Sequence, residues 1–218
     1  MTAELRQIVE GVLLVFAALF PIVNPLGGAP IFLAMTADYR DEERKVLAWR
    51  VSVNSFALLV VSLFTGTYVL EFFGLSVPVV QVGGGLVVSS LGWRLLQSPD
   101  PIDKPSGAEA ATHPNIAFYP LTMPLTVGPG SISVAFTIGA SHPDSVRSLL
   151  ISIPTILIGV TLVAVSIFVA YRYADRLSRV MGETGMTVLL RLSAFILLCI
   201  GVQIVWNGVS ALLRTLPG

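Results

Sequence analysis

Pro21, Pro25 and Pro30 recur as Pro120, Pro124 and Pro129, each displaced by the same 99 positions. The flanking residues agree, with Phe20-Pro21-Ile22-Val23-Asn24-Pro25-Leu26 standing over Tyr119-Pro120-Leu121-Thr122-Met123-Pro124-Leu125. Proline lacks a backbone N–H and its ring collides with the preceding turn, so each copy breaks a helix. A broken helix leaves bare carbonyls on one side of the gap. On the other it leaves free N–H groups carrying a partial positive charge. Two such gaps facing each other can hold a zwitterion. A carboxylate would meet the amides around Gly130 and Ser131, and an ammonium the carbonyls near Ile22, Val23 and Asn24. Interruptions at matching places in two halves of a membrane chain point to a midplane transport site.

About ten residues separate Glu10 from the first break, a rise of roughly 15 Å, or half the hydrocarbon thickness. Gly27 and Gly28 tolerate the left-handed conformations that end a helix, and Pro30 suits the first turn of the next. In the second copy Gly128, Pro129 and Gly130 repeat this logic, and Ser131 is an apt N-terminal cap. The candidate binding residues are therefore Asn24, Pro25, Gly27, Gly28, Thr122, Thr126, Gly128, Gly130 and Ser131. Arg191, the deepest charge, is a counter-charge near the gate or a side chain snorkelling to the interface. Asn24 also suits structural hydrogen bonding between helices, and Thr122, Thr126 and Ser133 suit bonds to their own backbone.

Elements that position these residues are read from composition. Of 218 residues 54% are hydrophobic and 12% charged, with mean hydropathy +0.83. Soluble domains carry about 25% charged residues. Uncharged runs cover 11–37, 51–70, 72–93, 115–141, 148–171 and 192–213, each long enough to cross a bilayer. Glu71 with Phe72-Phe73-Gly74 marks a tight hairpin between the second and third. The fold expected is an all-α integral membrane protein of six transmembrane helices. These form a 3+3 inverted-topology repeat in which helices 1 and 4 are broken. Residues 1–97 form the first repeat, 98–114 a polar cytoplasmic linker, and 115–218 the second repeat, all within one membrane domain.

Lys and Arg set the orientation. Arg40, Arg44, Lys45, Lys104, Arg172, Arg176 and Arg179 fall on one side, with Arg6, Arg147 and Arg214 on the other. The positive-inside rule then puts both termini outside the cytoplasm. Trp49 and Trp93 would anchor the inner interface and Trp206 the outer one.

Two stretches, Asn24 to Phe32 and Pro120 to Ile132, resemble the two signatures of the MarC family. Members are six-helix bacterial inner-membrane proteins, often named for multiple antibiotic resistance and grouped with the LysE-type transporter superfamily. The resemblance extends over essentially the whole chain in length, span number and motif placement. The first signature departs mildly, since members commonly carry Asn or Asp where Gly28 stands. What the resemblance implies is transport of small neutral amino acids such as glycine and alanine, in the inner membrane.

The remaining residues narrow the chemistry. No Asp or Glu lies deep in a span, so a carboxylate proton relay is absent. If transport is coupled, unwound carbonyls holding Na⁺ suit it better than a protonatable side chain, and no other cofactor is expected. No nucleophile stands with a base, and His113 and His142 have no metal-ligand partners at useful spacing, so an enzyme is not expected. Zero formal net charge gives no case for nucleic acid. The partners are the lipid bilayer and a small neutral solute, with a homo-oligomer left open. Gly83-Gly84-Gly85 lacks the context of a phosphate loop; Gly85, Ser89 and Gly92 instead let another helix come close. Gln203 and Asn207, at i and i+4, suit a polar path or a bond between helices. A passive pore and a non-transporting structural or regulatory membrane protein are the alternative functions.

Overall fold

The computed structural model describes residues 3–97, 115–140 and 146–214. The linker expected at 98–114 lies outside them, as do His113 and His142. The elements are α1 (Ala3–Val23), α2 (Pro25–Met35), α3 (Asp41–Phe72), α4 (Val77–Gln97), a loosely wound prolyl segment (Ala117–Thr126), α5 (Pro129–Ala140), α6 (Val146–Arg172) and α7 (Ala174–Arg214). Among the described residues there is no strand. Hydrocarbon offers the backbone no hydrogen bonds, so a spanning chain must satisfy itself as helix or closed barrel, and the described spans do so as helix. Five stretches are long and apolar enough to cross: Leu5–Met35, Asp41–Phe72, Val77–Gln97, Ser152–Arg172 and Thr184–Arg214. The prolyl segment and α5 together supply a sixth candidate, bent by 70°.

Local sequence marks the ends. Asp41, Glu42 and Glu43 fill the first turn of α3, where the helix dipole favours negative charge. The Glu43 carboxylate accepts the Arg40 N–H at 2.8 Å, closing that terminus. Gly74 takes φ 64° after α3, and the Leu75 N–H returns to the Leu70 carbonyl at 2.8 Å, making the tight turn into α4. Gly182, with φ 66°, separates the first two turns of α7 from its membrane-spanning part.

Helix directions follow from which residues meet. α4 and α7 run antiparallel: Gly208 lies against Pro78 and Val82, Gly201 against Gly85 and Ser89, and Gly92 against Ala194 and Leu198. α1 and α6 run parallel, with Gly11 on Thr155 and Gly159 on Val15. α3 opposes α6, where Ser52 Oγ donates to the Ala164 carbonyl at 2.6 Å and Trp49 meets Phe168 edge-on. The buried core of Leu19, Phe32, Leu59, Leu121, Val160 and Ile167 sits among α1, α2, α3, α6 and the prolyl segment. Leu14, Val61, Val165 and Ile196 are exposed, as lipid-facing positions should be.

Small residues on α4 let it touch the α7 backbone. A Cβ on Gly85 would lie 2.8 Å from the Gly201 carbonyl oxygen and 2.8 Å from the Val205 nitrogen, both backbone atoms that cannot rotate away. Gly85→Val is therefore expected to lower the thermal midpoint in detergent by roughly 5 °C or more, the range of an overpacking cost of about 1–3 kcal/mol. An unchanged midpoint would contradict this packing.

Candidate functional site

The first break is made by one residue. α1 ends at Val23, and Asn24 adopts φ 47°, ψ 60°, a left-handed conformation that asparagine tolerates better than most residues. Its Oδ1 accepts the Gly27 N–H at 3.2 Å, capping α2, while Pro25 occupies the first helical position. Gly27 and Gly28 lie inside α2 and do not end a helix, contrary to the expectation from their flexibility. Their lack of side chain serves close packing. A Cβ on Gly27 would stand 2.3 Å from Asn24 Nδ2, and one on Gly28 would stand 2.6 Å from the Tyr171 hydroxyl. The Asn24 side chain thus binds its own helix end, not a neighbouring helix. Asn24→Ala is expected to cost about 1 kcal/mol through the lost cap alone, with added strain from the left-handed backbone. A fall in thermal midpoint checks this, and Asn24→Gly should recover part of it.

The second break is spread over more chain. Tyr119 (φ −121°, ψ 124°) and Met123 (φ −116°, ψ 124°) are extended, each directly before a proline that disfavours helical geometry there. Met123 is the counterpart of Asn24 at the 99-residue offset. The Thr122 and Thr126 hydroxyls donate to the carbonyls of Ala117 (2.6 Å) and Leu121 (2.7 Å), as their sequence setting suggests. Ser133 departs from this pattern: its hydroxyl donates across to the Val80 carbonyl of α4 at 2.8 Å. Helix resumes at Pro129, so Ser131 is the third residue of α5, not the residue that precedes it. Its Oγ reaches back, accepting the Gly128 N–H at 3.1 Å and donating to the Gly128 carbonyl at 2.9 Å. Pro129 has no N–H, so Gly130 and Ser131 carry the first-turn donors left over by the helix.

Both breaks open onto one cavity of about 780 Å³. Asn24, Gly27 and Gly28 line it from one side, and Thr126, Gly128, Gly130 and Ser131 from the other. Leu86 and Leu91 of α4, Leu125, and Leu190 and Leu197 of α7 make much of the rest apolar. Three candidates lie elsewhere. Pro25 and Thr122 are buried outside the lining, and Arg191 is exposed. Gln203 and Asn207 bond to each other at 2.9 Å on an exposed face; they form neither a polar path nor a bond between helices.

Sequence reasoning missed Tyr171. It is only 2% exposed, stacks on Phe32 with ring centroids 4.6 Å apart, and covers Gly28. Its hydroxyl lies 2.8 Å from Thr126 Oγ1. Because the Thr126 proton already goes to Leu121, Tyr171 is the donor. Nothing in its spacing could have found it, since an aromatic beside Arg172 at a span end reads as an interface anchor. Among the described residues, no three His, Cys, Asp or Glu side chains gather to hold a metal.

Comparison with known proteins covers nearly the whole chain. The profile of MarC family integral membrane proteins matches residues 9–213. The inner membrane protein MarC of Escherichia coli (strain K12) is 33% identical over 208 residues, 90% of this chain and 93% of that protein. The protein of the same name from Shigella flexneri aligns with the same identity and coverage. No solved structure matches. With its several apolar spans, the chain belongs to the MarC family and is a multi-pass integral protein of the inner membrane.

Proposed function

We propose that the chain carries small neutral solutes, amino acids of the glycine and alanine class, through the cavity between its two prolyl breaks. The observation that carries this reading is that the two prolyl motifs, offset by 99 positions in the sequence, both contribute to the lining of one cavity. The Gly130 and Ser131 amides at the start of α5 suit a carboxylate. Carbonyls at the end of α1 suit an ammonium: the Pro21 oxygen loses its usual donor because Pro25 has no N–H, and Ile22 and Val23 reach the lining. Arg94, Ser90 and Ser193 also line the cavity, but its leucine- and valine-rich walls favour uncharged solute side chains, because an unpaired charge against them would be poorly solvated.

The fold proposed to carry the solute is a 3+3 inverted repeat in which 115–140 is one broken crossing. Helix directions support it. α4 returns antiparallel to α3 through the turn at Gly74, and α6 is also antiparallel to α3. The end of α4 and the start of α6 therefore lie on opposite faces, so the chain between them must cross. The packing is reciprocal too: α4 meets α7 and α3 meets α6, while each half's first span leans on the other half's second. With the arginine-rich connections in the cytoplasm, both termini lie outside.

Purified protein in liposomes, given labelled glycine, alanine and serine under Na⁺ or proton gradients, tests the function. Saturable uptake with competition between solutes is the expected result, and dependence on Na⁺ would show coupling to that cation. Non-saturating flux would indicate a pore, and no flux a structural or regulatory role.

A further inference from the structure

A second, smaller pocket of about 140 Å³ lies where the α2–α3 connection meets the junction of α6 and α7. Arg44, Arg172, Arg176 and Arg179 line it, together with Asp41 and Asp175. Arg44 is fixed in place, its Nε and Nη2 donating to the Tyr39 carbonyl at 3.1 and 3.0 Å. Both carboxylates are already engaged: Asp41 stands 3.7 Å from Arg44, and Asp175 pairs with Arg179. Arg172 and Arg176 have no carboxylate within ion-pair distance among the described residues. Each rests instead 5.8 Å from the centre of the Tyr173 ring. Two unneutralised guanidinium groups thus share a small pocket with two more, an arrangement that a bound anion would relieve.

Guanidinium forks match the oxygens of a phosphate group, which accepts several bidentate bonds at once. The pocket also sits at the end of the Ser152–Arg172 span, the depth at which lipid headgroups lie. We propose that this pocket binds a phosphate oxyanion, that of an anionic phospholipid headgroup in the adjoining leaflet. The site is separate from the solute cavity, and its test does not depend on what that cavity carries.

Thermal unfolding of the full chain in a maltoside detergent, at fixed ionic strength, tests this. The probes are phosphatidylglycerol, phosphatidylcholine and inorganic phosphate. Phosphatidylglycerol is expected to raise the midpoint by several degrees, and phosphatidylcholine to raise it much less. A comparable rise with inorganic phosphate alone would keep the phosphate site but replace the lipid with a free ion as its source. The Arg172→Gln/Arg176→Gln protein should lose the response, and Arg176→Gln alone, at an exposed position, should weaken it if the double variant does not fold. Lysine at both positions should recover only part, since charge is kept and the fork is lost. An equal rise for both lipids, a response undiminished by the glutamine substitutions, or no response to any probe would overturn the proposal.

Discussion

Gly128→Leu is expected to reduce solute uptake by about 100-fold, the equivalent of losing one or two hydrogen bonds to a charged group, while the protein inserts and folds normally. The position makes the two effects separable. A Cβ there stands 3.2 Å from the Pro124 carbonyl oxygen, a tight contact that must give by a few tenths of an ångström, and has otherwise open space within 4 Å. That space is the cavity, directly beside the Gly130 and Ser131 amides. Gly130 would be a poorer choice, because its Cβ would strike Val88 and disturb packing. Gly28→Leu should also abolish uptake, but it displaces Tyr171 and so mixes occlusion with repacking. Transport at the normal rate by a well-folded Gly128→Leu protein would contradict a solute path through this cavity.

Tyr171 carries the second large effect. Tyr171 is part of the arginine-lined pocket's wall, and its hydroxyl binds Thr126 on the cavity wall, so the residue stands between the two spaces. Tyr171→Phe keeps the stack on Phe32 and removes one hydrogen bond, worth about 1 kcal/mol. If that bond holds the cavity shut on this side, uptake should change several-fold with little loss of stability. Tyr171→Ala also removes the ring, at roughly 3–5 kcal/mol of stability, and should join the two spaces into a leak that no longer saturates. Liposome flux measured beside thermal midpoints separates the outcomes. Unaltered flux in both variants would leave Tyr171 a packing residue only.

Much of the fold was legible because membrane constraints are coarse. A span needs about 20 apolar residues, and runs of that length between charged connections are visible without any tertiary information. The turn at Glu71 to Gly74 and the close approach at Gly85, Ser89 and Gly92 were equally readable, since each depends on residue size or backbone freedom at one place. The prolines stand beside the residues whose backbone leaves helical geometry, Asn24, Tyr119 and Met123. They did not reveal how each break is made, because a proline forbids a geometry without choosing its replacement. One copy has Asn24, whose side chain caps the next turn, and α2 restarts at once. The other has Met123 there, which offers no cap, and regular α-helix is not regained until Pro129. Tyr171 and the placement of Arg191 outside the cavity depend on contacts between distant helices, for which one sequence carries no signal.

The most direct test of a solute site between the two breaks is protection of a thiol placed inside it. Cys199 is exposed, so Cys199→Ser provides the background. In that background Ser131→Cys puts a sulfur at the start of α5 within the cavity lining. Its rate of modification by a small methanethiosulfonate reagent is then followed with and without alanine. A solute held at the Gly130 and Ser131 amides should slow the reaction in a saturable way, with glycine competing. A rate indifferent to every neutral amino acid, in protein that is folded and reactive, would contradict the account.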